Sequence, residues 1–406
     1  MARPLDNSNK KLLESFARTS EEIFSLNEFE ELLKSGKQIR IKYGVDVTSP
    51  FLHIGHAVNL WMMRELQELG HKVIFLIGDF TTQIGDPTGR GDTRPIIPRE
   101  EIEKNAEEFI RQAKMVLHFD DPNLLEIRKN SEWFSEYSLS DFLKLLAMVT
   151  HARLISRDMF QRRIEKQEDI YMHEMIYPIL QGYDSYVLGS DLTIIGSDQL
   201  FNEMLGRFYQ QKLGQKSQVI ITTKITPGID GKAKQSKSLD NYIGLGHSSR
   251  DKFGRSMKIP DELIVDYLKI YTTVPMGEIS RIEKKISSDP MKWKKFLARE
   301  ILKRYHNEVD VKNEQEWFEN TFSKKITPDD IPVLEVCESQ WVAIDLVKKY
   351  FNKSKSNSEL RRLFEQGAVS FNDRKISAFD ERINVVSEDV VKVGKRTWFK
   401  VRVEGK

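Results

Sequence analysis

A chain of 406 residues, 39% apolar and 31% charged, has a soluble, globular composition and the length of two or three domains. Net charge is only +2, yet residues 339–406 hold 15 Lys/Arg against 9 Asp/Glu, so a basic end suited to a polyanion follows a mildly acidic body. The lone Cys337 excludes an internal disulfide and a thiolate zinc site; no apolar run reaches membrane-spanning length and the opening residues lack a secretory core, so the expected setting is cytoplasmic, away from membranes.

Residues 38–45 (QIRIKYGV) alternate apolar and polar, which predicts a strand. The loop DVTSPFLHIG follows, and AVNLWMMRELQELG then repeats apolar residues at helical spacing as far as Gly70. The run VIFLI (73–77) predicts a strand buried on both faces. Strand, loop, helix and strand in this order form a right-handed βαβ unit of a parallel sheet, with the nucleotide site beyond the carboxyl end of the first strand. The stretch IGDFTTQIGDPTGRGDTRP is too long and too rich in Gly, Asp and Thr for a tight connection, and predicts a site loop. Residues 98–175 are mostly helical in pattern and read as an insertion between the two halves of the sheet. SQVIITTKI (217–225) predicts another buried strand, leading into a lysine-bearing loop. Helical patterns dominate from 248 to 326, and Thr327-Pro328-Asp329-Asp330-Ile331-Pro332 reads as a boundary. WVAIDLVKKYF and SNSELRRLFEQGAVSFNDRKI then predict two helices followed by short strands.

Two strings far apart carry most of the chemistry. In His53-Ile54-Gly55-His56 the histidines lie three apart on the opening turn of the predicted helix, so both project to one side. Their ring donors suit an α-phosphate as it becomes pentacovalent. The helix N-terminus adds further donors, and Gly55 lets an adenosine lie against the backbone. Lys234 and Lys237 of IDGKAKQSKSLDN offer two mobile ammonium groups to β- and γ-phosphates and a departing pyrophosphate. Either string alone is modest, since histidines cap helices and lysine-rich loops are usually solvated surface. Together, each following a predicted strand, they point to adenylyl transfer, which needs positioning and charge stabilisation more than covalent help. A third group, Tyr177, Gln181 and Asp184, falls at i, i+4 and i+7 of a predicted helix and shares one face.

With both strings in this order the chain resembles the class I aminoacyl-tRNA synthetases, and among them the bacterial-type tyrosyl-tRNA synthetases. The resemblance covers essentially the whole chain and implies an α/β fold. A Rossmann-like parallel-sheet catalytic domain (1–247) would carry the helical insertion (about 98–175), followed by an α-helical anticodon-side domain (248–327). A linker (328–338) would then lead to an S4-like α+β RNA-binding domain (339–406).

The resemblance implies catalytic roles for His53, His56, Lys234 and Lys237. ATP contacts are implied for these four, for Gly44, Asp46 and Thr48 of KYGVDVT, for Gly55, and for Gly196 and Asp198 of IGSDQ. Tyrosine contacts are implied for Thr81 and Asp86 of TTQIGDP, Asn130 of NSEW, and Gln199. Tyr177 and Gln181 match residues that hold the substrate's α-ammonium, and Asp184 one that accepts from its phenolic hydroxyl. Arg361, Arg362, Lys375, Lys395 and Arg396 would meet RNA phosphates. The implied reaction is activation of tyrosine by ATP, then transfer to the 3′-terminal ribose of tRNA(Tyr), by a homodimer. Magnesium would accompany ATP, with no prosthetic group and no protein-built metal site.

Four residues depart from the family pattern: Lys42 replaces a tyrosine, Val47 a proline, Ile195 a glycine and Gln235 a methionine. Without that tyrosine, specificity should rest more heavily on Asp184. One competing reading is a non-catalytic RNA-binding protein, splicing or regulatory, on the same scaffold; another is an adenylyl transferase acting on a free small molecule. The paired histidines and lysines count against the first, the RNA-binding tail against the second.

Overall fold

The computed structural model describes residues 5–85, 97–323, 331–352, 354–372, 374–394 and 397–403. Six strands form the first sheet: β1 (Ser20–Phe24), β2 (Arg40–Val45), β3 (Lys72–Ile77), β4 (Leu125–Lys129), β5 (Leu192–Gly196) and β6 (Val219–Thr223), in the order β1-β6-β5-β2-β3-β4. All neighbours run parallel except β1, which lies antiparallel along β6. β6 is buried throughout, and β3 everywhere except Lys72, as continuous apolar strands in the middle of such a sheet must be. From β2 the chain builds outward through β3 to β4, and from β5 outward to β6. The two halves therefore meet between β2 and β5, and the crevice at the carboxyl ends of these strands is where an open α/β sheet takes a ligand.

The parallel sheet and the βαβ unit stand where the sequence predicts them. The edge strands β1 and β4 do not follow from it: SEEIF and LEIRK are short, charged segments that bury few side chains. An edge strand needs only one partner and one covered face, so its apolar signal is weak.

One continuous core joins the sheet to the helices that follow it, from Leu12 and Phe16 through Val73 and Ile221 to Tyr267, Leu297 and Ile301. Residues 1–314 accordingly form one compact unit and 315–406 a second. The second unit has strands β7 (Val333–Val336), β8 (Gln340–Val342), β9 (Val369–Phe371), β10 (Arg374–Ile376), β11 (Arg382–Asn384), β12 (Val390–Val393) and β13 (Thr397–Val403). Five make a sheet in the order β10-β9-β12-β13-β7, and β8 pairs with β11. Helices Ala343–Phe351 and Asn357–Glu365 pack with it around Leu346, Leu360, Phe364 and Phe399. Residues 333–336, inside the stretch read as a linker, form β7 parallel to β13. Only Val336 of that strand is fully buried, which is why its pattern reads as irregular. Among the described residues no helix is long and apolar enough to cross a membrane.

Candidate active site

The histidine and lysine strings, some 180 residues apart, are zipped together by main-chain bonds. Ile54 N donates to Ile243 O at 2.9 Å, Leu245 N to Leu52 O at 2.9 Å, and His53 bridges to Gly244. The segment leaving the lysine loop thus lies against the start of the histidine helix, Ile54–Glu68. Between them and the sheet is a cavity of about 410 Å³. Its walls include Gly44, Asp46, Thr48, His53, Gly55, His56, Thr81, Tyr177, Gln181, Asp184, Gly196, Asp198, Gln199 and Lys234.

His53 is the N-cap of its helix, and its ring stacks on His56 with centroids 3.7 Å apart. His53 Nδ1 accepts from Gly55 N at 3.1 Å, and His56 Nδ1 accepts from His53 N at 3.3 Å. A backbone N–H on each Nδ1 leaves the ring proton on Nε2. Both rings stay neutral at pH 7. Burial, then His56 and Lys234, hold His53 well below the usual histidine range. Burial takes His56 down to about 4, with Asp198 opposing and Lys234 adding. The pair therefore supplies neutral N–H donors. A Cβ on Gly55 would sit 2.9 Å from the His53 ring, so glycine is needed here for the histidine as well as for a ligand.

Asn241, almost fully buried, pins the lysine loop. Its amide donates to Asp230, Ala233 O and Lys234 O, and its Oδ1 accepts from Ser236 N at 2.7 Å. Lys234 Nζ lies 3.4 Å from Asp198 Oδ2 across the cavity mouth. Lys237 does not line the cavity; its ammonium sits 3.6 Å from the centroid of the half-exposed Phe51 ring. A cation–π contact at an exposed site holds a lysine only weakly, so it can be drawn off by phosphate.

One side of the cavity is built on the helix Met172–Val187, where Tyr177, Gln181 and Asp184 all line it. This helix packs closely on Leu200–Lys212: a Cβ on Gly182 would fall 2.9 Å from Leu205 Cβ. Tyr177 OH donates to Asp46 Oδ2 at 2.9 Å, while Thr81 Oγ1 donates to Asp46 Oδ1 at 2.8 Å. Asp184 accepts from Trp133 Nε1 at 3.1 Å and from Asn130 Nδ2 at 3.4 Å. Asn130 is fully buried and does not line the cavity, so it acts on Asp184 and Thr81 from behind. Burial raises the Asp184 carboxyl to about 8, against the opposing charge of Lys42 and the bonds from Asn130 and Trp133. This favours the protonated form near neutral pH, where the sequence alone suggests a plain carboxylate.

Asp86, Lys395 and Arg396 lie outside the described residues. Arg361 and Arg362 are exposed on Asn357–Glu365, with the Arg361 guanidinium 4.9 Å from the Phe379 ring centroid, and Lys375 is exposed on β10. Trp133, Glu203, Asn241 and Tyr271 are site residues that sequence reasoning missed. Trp133 alone had a signal, being in the same NSEW string as Asn130.

The departures at Lys42, Val47 and Gln235 have a local account, and nothing in the structure explains the one at Ile195. Val47 N donates to Thr82 Oγ1 at 3.1 Å, a bond a proline cannot make. Ile195 lines the cavity, and its carbonyl accepts from Thr223 Oγ1 at 3.2 Å. Gln235 is buried, donating to Tyr271 OH at 3.0 Å and accepting from Ile243 N at 3.3 Å, so it ties the lysine loop to the helix Ile264–Tyr271. Lys42 lines the cavity and is paired there with Glu203.

Known proteins match the chain over most of its length. The family model for class I tRNA synthetases (W and Y) matches residues 34–323. Tyrosine–tRNA ligase 2 of Clostridium acetobutylicum is 38% identical over 95% of this chain and 96% of its own length. Tyrosine–tRNA ligase of Aquifex aeolicus is 39% identical over 94% of this chain and 95% of its own. In fold, the chain is similar to a C-terminally truncated mitochondrial tyrosyl-tRNA synthetase of Aspergillus nidulans, with a TM-score of 0.64 at 21% identity, covering 78% of this chain and 94% of that one. The tyrosyl-tRNA synthetase of Archaeoglobus fulgidus, solved with L-tyrosine, superposes with a TM-score of 0.59 at 23% identity over 76% of this chain and 100% of that one. With the family model spanning most of its length and close relatives covering nearly all of it, the chain belongs to the class I aminoacyl-tRNA synthetases, in the family of the tryptophan and tyrosine enzymes.

Proposed function

We propose that this protein is a tyrosine–tRNA ligase. The observation that carries the reading is the convergence of Tyr177, Gln181 and Asp184 on the cavity that also holds the neutral histidine pair and Lys234. A phenol-sized ligand reaching Asp184 leaves its carboxylate facing the histidines. That carboxylate attacks the α-phosphorus of ATP, the bond from α-phosphorus to the bridging oxygen breaks, and pyrophosphate leaves. The Nε2–H donors of His53 and His56 stabilise charge on the α-phosphate oxygens, and Lys234 and Lys237 take the pyrophosphate. Gly44, Asp46, Thr48, Gly55, Gly196 and Asp198 hold the nucleoside, and Thr81, Asp86, Asn130 and Gln199 complete the amino-acid side. Magnesium would enter with the ATP phosphates.

The tyrosyl group then passes to the 3′-terminal ribose of tRNA(Tyr). Residues 248–327 serve the anticodon side, and the S4-like tail meets RNA phosphates through Arg361, Arg362, Lys375, Lys395 and Arg396. The working form is a cytoplasmic homodimer, as the family resemblance implies. Pyrophosphate exchange measured with each of the twenty amino acids should run with tyrosine alone; exchange driven by another would refute the assignment. A chain ending at Ser323, which removes both C-terminal sheets, should keep pyrophosphate exchange and lose charging. Its tRNA affinity should fall less steeply with salt than that of the intact enzyme. Equal salt slopes would remove the electrostatic role of the tail.

A further inference from the structure

Among the residues that line the cavity, Lys42 and Glu203 form a buried ion pair, each about 1% exposed. Lys42 Nζ reaches Glu203 Oε2 at 2.8 Å and Oε1 at 2.9 Å, Ser185 Oγ at 2.7 Å and the Gln181 carbonyl at 3.5 Å. Its three donors are all taken by these partners. Glu203 also accepts from Gln181 Nε2 at 3.0 Å and from Gln218 Nε2 at 2.8 Å.

The bond to Gln181 starts a chain of amides. Gln181 Oε1 accepts from Asn202 Nδ2 at 2.7 Å, and the same nitrogen donates to Gln199 Oε1 at 2.9 Å. A side-chain amide can turn end for end and keep its bonds if its neighbours turn too, so three linked amides have two consistent arrangements. A carboxylate only accepts. Glu203 therefore forces the –NH₂ of Gln181 toward itself, which leaves the Gln181 oxygen on the side away from Glu203, where it and the Gln199 oxygen both face Asn202 Nδ2. Both residues line the cavity. A buried ion pair adds little net stability over apolar side chains of similar volume, so its value lies in the orientation it imposes.

We propose that the Lys42–Glu203 pair is a positioning device for substrate recognition: it holds the Gln181–Asn202–Gln199 amides in the one arrangement in which Gln181 presents its oxygen, and not its –NH₂, on the side away from Glu203, as an acceptor for the α-ammonium of the bound amino acid. This rests on the assignment of the cavity as a tyrosine site. Glu203→Gln loses the accept-only group and admits the reversed arrangement. The exchange Lys42→Glu with Glu203→Lys puts a donor against Gln181 and favours the reversed arrangement outright.

The test compares the affinity of the full-length enzyme for tyrosine with that for 3-(4-hydroxyphenyl)propionate, which lacks only the ammonium. Glu203→Gln should lower this ratio about fivefold and the exchanged pair by more than about tenfold, with the KM for ATP unchanged. A general loss of stability would weaken both ligands alike and leave the ratio in place. If the exchanged pair does not fold, Glu203→Gln still decides. Gln181→Leu is the control. A ratio lowered by Gln181→Leu but untouched by Glu203→Gln overturns the positioning role and leaves the tyrosine site standing. A ratio untouched by both overturns the site assignment and the proposal with it.

Discussion

Replacing Asp184 by alanine is expected to lower the preference for tyrosine over phenylalanine, as a ratio of specificity constants, by about a hundredfold. A buried carboxyl built to meet a hydroxyl is left unpaired by phenylalanine, at a cost of about 3 kcal/mol, and each 1.4 kcal/mol is a factor of ten. With Lys42 bonded to Glu203, Ser185 and the Gln181 carbonyl, Asp184 is the carboxyl on the Tyr177–Gln181–Asp184 face proposed to meet the phenol. Asn130→Ala should have a smaller effect, because it touches the cavity only through Asp184 and Thr81. A ratio unmoved by Asp184→Ala would place the determinant elsewhere.

The raised carboxyl gives this prediction a pH dependence. Its folded value of about 8 lies above the ordinary value of 3.8, so between these limits the folded protein binds the extra proton. The associated stability is complete below about pH 4 and is lost as pH rises through about 8. Ionised Asp184 makes a charge-assisted bond to the phenol and is stranded by phenylalanine. The tyrosine-to-phenylalanine ratio should therefore rise between pH 7 and 9 in the wild type and stay flat in Asp184→Asn. A flat wild-type profile would remove this titration from recognition.

Replacing Lys234 and Lys237 together by alanine should slow adenylate formation by about a hundred- to a thousandfold while changing tyrosine affinity less than about twofold. The ammonium groups meet charge that develops on the leaving pyrophosphate, so their loss falls on the rate. Neither is fixed in the resting protein: Lys234 faces Asp198 at 3.4 Å and Lys237 rests on Phe51. Single-turnover measurements check this, and a comparable loss of tyrosine affinity without ATP would contradict it.

Much of the frame was legible from the chain itself. The βαβ unit, the helix carrying Tyr177, Gln181 and Asp184, and both nucleotide-handling strings are local patterns of burial and spacing within a few turns or one strand. The edge strands β1 and β4 were not, since a strand with one partner needs no continuous apolar run. The amino-acid sequence by itself determined which groups could meet ATP and an amino acid, and on which element each would stand. Tertiary structure alone decided how they work. The order of β2 beside β5 and the bonding of Ile54 to Ile243 bring segments more than a hundred residues apart onto one cavity. That closure fixes the histidine tautomers, buries Asp184 until it keeps its proton, and seals Lys42 against Glu203. Each effect depends on exclusion of water by distant chain, a property that no local run of residues possesses.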